Sequence, residues 1–306
     1  MLRGHSRGVL FLVVASLLWS TDSLFRLSAV MQFDSLFVTF LENLIQMVFL
    51  LPWLLYRHSK NIFQLSRQEW LCAAVCGVMG AALALVFYTA SFLYVNASLP
   101  VLLQKLEPIM VSCISYLVFR EKFSRRFFFW SFVALVASIL LSFPDFDFGF
   151  LDEVSNQRLR GVIYALIACF FWACAGIAGK SLLVKLDPMI AVFWRVVFGT
   201  IVLLILMYFS QKSFVCRGNW DIQSFYLLIY LAIFPGLMAM IFYYYGLVYI
   251  SASIAGFLKL LYPVGTVILN ILILHESFNW IQLTAMSMLL FSIFMLLKCC
   301  TPSDSN

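Results

Sequence analysis

The chain has 306 residues, 64% of them hydrophobic and 11% charged, with mean hydropathy +1.00 and formal net charge +6. A soluble domain is about half apolar and about a quarter charged, so a single globular core cannot hide this surplus and lipid has to cover it. The basic excess does not point to nucleic acid, because a membrane protein acquires such an excess from its loop charges.

A bilayer core of about 30 Å needs roughly 20 apolar residues per helix. Alternating strands are absent, so a barrel is not expected. Ten apolar segments are legible in chain order, so an all-α membrane protein with ten transmembrane helices is expected. The first covers 8–30. Arg3 and Arg7 precede it as in a secretion signal, but the run exceeds signal length and reappears later, so a retained span is expected. It carries Asp22 and Arg26, four apart on one helical face, where they can pair. That is either a self-neutralising pair that merely inserts or part of a site.

The second segment, 34–56, contains Glu42. The third, 70–93, contains Cys72, Cys76 and the pair Phe87-Tyr88. The eight cysteines have no metal or disulfide spacing and read as small packing residues. The fourth, 96–119, holds the run LLQKLEPIM with Gln104, Lys105, Glu107 and Pro108. An ionisable group at that depth costs about 2.5–3.5 kcal/mol and must face protein or water beside a partner. Pro108 cannot donate to the carbonyl of Gln104, so a kink with a freed carbonyl is expected next to Lys105. Glu107 lies nearly opposite Lys105 on the helix. Its partner is expected to be Arg195 or Arg26, or it carries protons. The fifth segment is 125–143.

Residues 144–160 form a polar linker with four acids and two arginines. The second half repeats the pattern at 161–183, 187–209, 224–246, 250–274 and 279–298. Shifted by 155, Ala97, Ser98, Pro108, Glu121 and Phe123 fall on Ala252, Ser253, Pro263, Glu276 and Phe278. The same shift places Tyr88 on Tyr243 and Tyr94 on Tyr249, and a shift of 153 places Trp19 on Trp172, Asp34 on Asp187 and Glu42 on Arg195. Apolar composition does not align Pro, Glu, Asp and Trp in order, so this is an internal repeat. The repeats are 8–143 and 161–298. Five helices is an odd number, so the two copies face opposite ways across the membrane.

Loop charge sets the orientation. With the N-terminus inside, twelve basic residues lie on the cytoplasmic side (Arg3, Arg7, Arg57, Lys60, Arg67, Arg120, Lys122, Arg125, Arg126, Lys180, Lys185 and Lys298). Four lie outside: Arg158, Arg160, Lys212 and Arg217. Both termini are therefore expected in the cytoplasm. Arg26, Lys105, Arg195 and Lys259 remain within helices. Lys259 shortly precedes Pro263, as Lys105 precedes Pro108. Helices broken at matching points of inverted halves point to a transport site. Glu121 and Glu276, at the ends of helices 4 and 9, read as caps for the next helix or as partners of Arg120, Lys122 or His275. Tyr88, Tyr243 and their aromatic neighbours read as packing, with some placed to stack on a planar solute.

There is no HExxH, no GxSxG and no phosphate-binding glycine loop, so no catalytic residue, metal or cofactor is expected and the protein reads as a non-enzyme. The opening SLLWSTDSLF, the run ASLPVLLQKLEPIM with LVFREKFS, and the second-half ASIAGFLKLLYP and LILHESF resemble paired EamA domains of the drug/metabolite transporter superfamily. Proline followed thirteen residues later by Glu, as in Pro108/Glu121 and Pro263/Glu276, is the closing pattern of such a domain. The resemblance covers residues 8–298. It implies a ten-helix 5+5 inverted-repeat carrier with helices 4 and 9 lining the pathway, moving small organic solutes, often by proton coupling or exchange. Glu42 stands where many members have Arg, which separates this chain from any one member's substrate.

The expectation is a secondary carrier in a bacterial cytoplasmic membrane. It moves a small polar metabolite (amino-acid-like, nucleoside-containing or an organic anion) by alternating access, with the bilayer and protons as further partners and a homodimer left open. Lys105 and Lys259 are the expected main contacts. Gln104, Asp22, Arg26, Glu42, Glu107, Arg195, Tyr88 and Tyr243 complete the site. Lipid flipping is the nearest alternative, and an intramembrane lipid-modifying enzyme is a more distant one.

Overall fold

The computed structural model describes residues 2–58, 62–95, 98–142, 156–210, 221–274 and 280–299. Most of the linker, residues 144–155, lies outside them, as do Lys60, Ala97, Lys212, Arg217, His275, Glu276 and Phe278. No strand occurs among the described residues, and the helices group into ten consecutive spans. Helices suit lipid because every backbone donor finds its acceptor within the same segment. Nine of the spans have the length and hydropathy to cross a bilayer, and a shorter apolar helix, Gly4–Trp19, begins the first.

Five spans are continuous: Ser35–His58 (span 2), Arg125–Ser142 (span 5), Asn156–Leu182 (span 6), Pro188–Ser210 (span 7) and Trp280–Cys299 (span 10). The other five are not. Span 1 breaks between Leu2–Trp19 and Asp22–Gln32. Span 4 breaks between Ser98–Gln104 and Glu107–Phe119. Span 9 tightens to a 3-10 turn at Lys259–Leu261 between Ala252–Leu258 and Tyr262–Leu274. The two proline-linked interruptions thus fall at the lysines where the sequence places them. Span 3 (Arg67–Val75, then to Ser91) and span 8 (Ile222–Leu231, then to Tyr249) each contain a π-helical stretch, at Cys76–Leu83 and Ala232–Met238. These two stretches are repeat-related, and π-bulges tend to mark functional positions.

Hydroxyls from neighbouring spans take up the carbonyls near the breaks. Thr266 donates to the Ser20 carbonyl at 3.3 Å, and Ser16 donates to the Leu258 carbonyl at 3.1 Å. Span starts are capped conventionally. Ser66 and Glu69 form a capping box on span 3, Asp221 caps span 8 and Ser251 caps span 9. Lys180 at the end of span 6 donates to the carbonyls of Leu247 (2.7 Å) and Ile250 (2.8 Å), closing the C-terminal end of span 8. Arg120 adopts the left-handed conformation (φ 54°) that ends span 4. Glu121, just beyond, accepts from Ser253 Oγ at 2.6 Å. It therefore serves the start of span 9 in the other repeat, not the next helix of its own, because the inverted arrangement brings the end of span 4 beside the start of span 9.

The packing shows the symmetry directly. Span 1 packs on span 8, and span 6 on span 3. Spans 2 and 7, 4 and 9, and 5 and 10 pack on each other. Exchanging each span for the one five places away leaves this set unchanged, as a two-fold axis in the membrane plane requires. Small residues set the approach, as is usual between membrane helices. A Cβ on Gly8 would lie 2.8 Å from both Ile250 Cγ1 and Tyr249 Cβ and 3.2 Å from the Gly246 carbonyl. Its repeat counterpart Gly161 packs against Tyr94 and Val95 in the same way.

Gly8→Ala is therefore expected to force spans 1 and 8 apart and to lower stability by about 1–3 kcal/mol, as overpacking does. Gly256→Ala is the control. Its Cβ would meet its nearest neighbour, Pro108 Cα, at an ordinary 3.4 Å. Melting of the detergent-solubilised protein should fall for the first variant and hold or rise for the second. Equal melting of both would remove this account of the crossing.

Candidate functional site

The interruptions converge on a central cavity of about 150 Å³. Span 1 supplies Trp19, Asp22 and Arg26, span 2 supplies Glu42, Asn43 and Gln46, and span 3 supplies Gly80, Ala81, Leu85 and Tyr88. Span 4 adds Gln104, Lys105, Glu107 and Pro108, and span 9 adds Lys259, Leu260 and Tyr262. Trp172, Arg195, Pro235, Gly236 and Met240 close the wall from spans 6, 7 and 8. No described residue of spans 5 and 10 lines it. They pack on each other outside the bundle.

Three charge arrangements occupy this wall. In the first, Arg26 sits between two carboxylates. Its Nε and Nη2 donate to Asp22 at 2.7 and 2.6 Å, and its Nη1 and Nη2 donate to Glu42 at 2.9 and 3.2 Å. Nη1 also donates to Thr89 Oγ1 at 3.2 Å. All five guanidinium N–H donors are thus engaged. Arg26 is 3% exposed and Glu42 1%. The spacing reading paired Asp22 with Arg26 correctly but missed Glu42, whose proximity depends on how spans 1 and 2 cross.

In the second, Lys259 Nζ meets Glu107 Oε1 at 2.6 Å. The ammonium also lies 4.7 Å from the Tyr243 ring centroid and 5.4 Å from that of Trp19, a cation–π enclosure. Glu107 was expected to pair with Arg195 or Arg26. It pairs with Lys259 instead, because spans 4 and 9 cross at their two breaks and bring these residues together. In the third, Lys105 is 1% exposed, donates to Ser138 Oγ at 3.1 Å and lies 4.9 Å over the Tyr262 ring.

Arg195 stands apart. It is 7% exposed and lines the cavity, and among the described residues its guanidinium makes no ion pair and no hydrogen bond. It lies beside Gly80, where a Cβ would be 3.5 Å from Arg195 Nε, an ordinary contact distance. Of the ten residues singled out from sequence, nine line the cavity. Tyr243 is the exception, packing beneath the Lys259 ammonium. Sequence reading missed Asn43, Gln46 and Tyr262. Gln46 is four residues from Glu42 on the same helical face, and Asn43 is three from Gln46, a signal that was available. Asn43 Nδ2 donates to the Thr39 and Ala81 carbonyls at 2.9 and 3.0 Å, the latter within the π-helical stretch.

The EamA-like transporter family model matches residues 6–143 and 159–298, one copy on each half. The chain belongs to the EamA-like transporter family. Among curated relatives it is 26% identical over 304 residues to the riboflavin transporter ImpX of Fusobacterium nucleatum, covering 96% of this chain and 98% of that protein. It is 23% identical over 277 residues to an uncharacterized transporter of Archaeoglobus fulgidus, covering 89% and 91%. A solved crystal structure superposes with TM-score 0.75 at 16% identity, covering 95% of this chain and 97% of the other, which shows a shared fold. This EamA-like chain is thus a multi-pass membrane transporter of two inverted repeats, working on a small molecule in a lipid environment.

Proposed function

We propose that the protein carries a planar heteroaromatic solute with a polar tail, of the flavin class, by alternating access around the central cavity. The observation that carries this reading is the composition of the wall, where Trp19, Tyr88, Trp172 and Tyr262 present rings beside charged and amide groups. Such rings offer stacking faces to a planar solute, while a few placed polar groups fix its orientation. An amino-acid-like solute would leave that aromatic surface unmatched. A near full-length relative named as a riboflavin transporter supports the same choice. Among the solutes expected from sequence, the nucleoside-containing class is the nearest, since it also joins a planar heterocycle to a polyol.

The repeats supply the mechanism. Breaks in spans 4 and 9 meet at the cavity, and rocking one inverted half against the other exposes the cavity alternately to each side. Asp22, Glu42 and Glu107 are the carboxylates placed to carry a coupling proton. The excess of arginine and lysine in the loops on one side supports a reading with both termini in the cytoplasm.

Purified protein in liposomes, given riboflavin under an imposed pH gradient, tests the reading by flavin fluorescence. Saturable uptake is expected, competed by flavin analogues and not by amino acids. Uptake no greater than into protein-free liposomes, with either sign of gradient, would overturn it.

A further inference from the structure

Arg195 and Gln46 are two cavity-wall side chains whose hydrogen-bonding capacity is unused among the described residues; Gln104 is another, but it is less buried. Arg195 has five N–H donors and no hydrogen-bond or ion-pair partner among the described residues. Gln46 is 4% exposed, and its Oε1 is buried without a partner among them. Of the other charged side chains on the wall, Arg26 is paired with Asp22 and Glu42 and Lys259 with Glu107, while Lys105 has one hydrogen bond, to Ser138, and the Tyr262 ring. A buried cation and a buried acceptor left alone are both unfavourable, and a binding pocket is the setting in which a ligand satisfies them.

The two residues come from spans 7 and 2, which pack on each other across the pseudo-two-fold axis, and both face the same cavity. Their positions mirror each other in glycine contacts. A Cβ on Gly236 would lie 2.6 Å from Gln46 Nε2, and one on Gly80 would lie 3.5 Å from Arg195 Nε. In both cases the polar head lies against a glycine in a π-helical stretch, closely at Gly236 and at ordinary contact distance at Gly80.

We propose that Arg195 and Gln46 together form the recognition site for the polar edge of the solute. The guanidinium fork donates to two adjacent acceptors, and the carboxamide oxygen accepts from a ring N–H. A fork of this kind favours planar pairs of acceptors that a lysine cannot address in the same way. The complementary edge is a cyclic imide or ureide. In a flavin the N1 and C2 carbonyl are the adjacent acceptors and N3–H is the donor. This rests on the flavin reading above but names the part of the solute that is gripped and the residues that grip it. It also shifts the main polar contact from Lys105 and Lys259 to Arg195.

Binding to the full-length protein in detergent, read by flavin fluorescence quenching and melting temperature, tests the site. The probes are riboflavin, 1-deazariboflavin, which lacks the N1 acceptor, and 3-methylriboflavin, which lacks the N3–H donor. Wild type is expected to bind each analogue at least about tenfold more weakly than riboflavin, the loss of one good hydrogen bond. Arg195→Met should weaken riboflavin by about 10–100-fold, the range for bonds to a charged group, and should bind the 1-deaza analogue and riboflavin alike. Gln46→Leu should erase only the discrimination against 3-methylriboflavin. Arg195→Lys should retain less than a tenth of the affinity, which a merely structural cation would not require. Unchanged discrimination in Arg195→Met overturns the proposal, even if overall affinity falls. Uridine and nicotinate separate this inference from the flavin reading. If riboflavin fails with wild type but uridine, which carries an imide N–H, raises its melting temperature through both Arg195 and Gln46, the site stands and the flavin reading falls. A response to nicotinate alone overturns the proposed pair. If none of the three has an effect, both fall.

Discussion

Arg26→Met is expected to be the most damaging single substitution in the protein. Arg26 spends all five donors on Asp22, Glu42 and Thr89 in a nearly dry part of the wall. Removing the guanidinium leaves two carboxylates close together without a counter-charge. Breaking a buried ion pair on one side costs about 3–5 kcal/mol, and here two acids lose their partner at once. That approaches the whole stability of a typical domain. The variant should give little monodisperse protein in detergent. Neutralising the acids removes most of the penalty, so the triple variant Arg26→Met with Asp22→Asn and Glu42→Gln should recover folding. Intermediate recovery is expected with Glu42→Gln alone, since Glu42 is the more buried acid. A melting temperature for Arg26→Met within a degree or two of wild type would show that the cluster is not a stabilising unit.

The second large effect is expected at the junction of spans 4 and 9. Lys259 and Glu107 belong to different repeats and meet where both helices are interrupted. If the halves rock against each other, this contact must part and reform in each cycle. Glu107→Gln leaves the ammonium without a counter-charge, held only by a neutral amide and the Tyr243 and Trp19 rings, and Lys259→Met leaves the carboxylate unpaired. Each is expected to lower transport by about a hundredfold, corresponding to roughly 3 kcal/mol lost from one state of the cycle. Stability should fall less than in Arg26→Met, because the Lys259 side chain retains 19% exposure towards the cavity. The charge swap Glu107→Lys/Lys259→Glu separates two roles. It restores a pair across the junction and should recover melting. It also puts a carboxylate against two ring faces that favour a cation, so transport should stay low. Wild-type uptake rates in either single variant would remove the junction from the transport cycle.

The helix count was legible because lipid imposes it. Each run had to reach about 20 apolar residues, and the ten segments read from sequence coincide with the ten spans to within a few residues at most ends. The breaks at Lys105 and Lys259 were legible through Pro108 and Pro263. The break at Ser20–Thr21 was not, since no proline marks it. It is held by the Thr266 hydroxyl of span 9, and Gly265 leaves no side chain to fill the space beside Ser20. The π-helical stretches left no periodic signature either. Each is a stretch of seven or eight residues within a longer apolar run.

Composition, segment length and the ordered repeat of Pro, Glu, Asp and Trp were enough to establish a membrane protein of two inverted five-helix halves with a polar centre. These properties depend only on neighbours along the chain and on the bilayer as solvent. Which charge meets which was decided in three dimensions: Glu42 with Arg26, Glu107 with Lys259, and Arg195 left without a partner among the described residues. An ion pair forms or fails over an ångström or two. At that scale the outcome depends on the rotation and crossing of helices, which close contacts such as Gly8 on span 8 set far along the chain from the charges themselves.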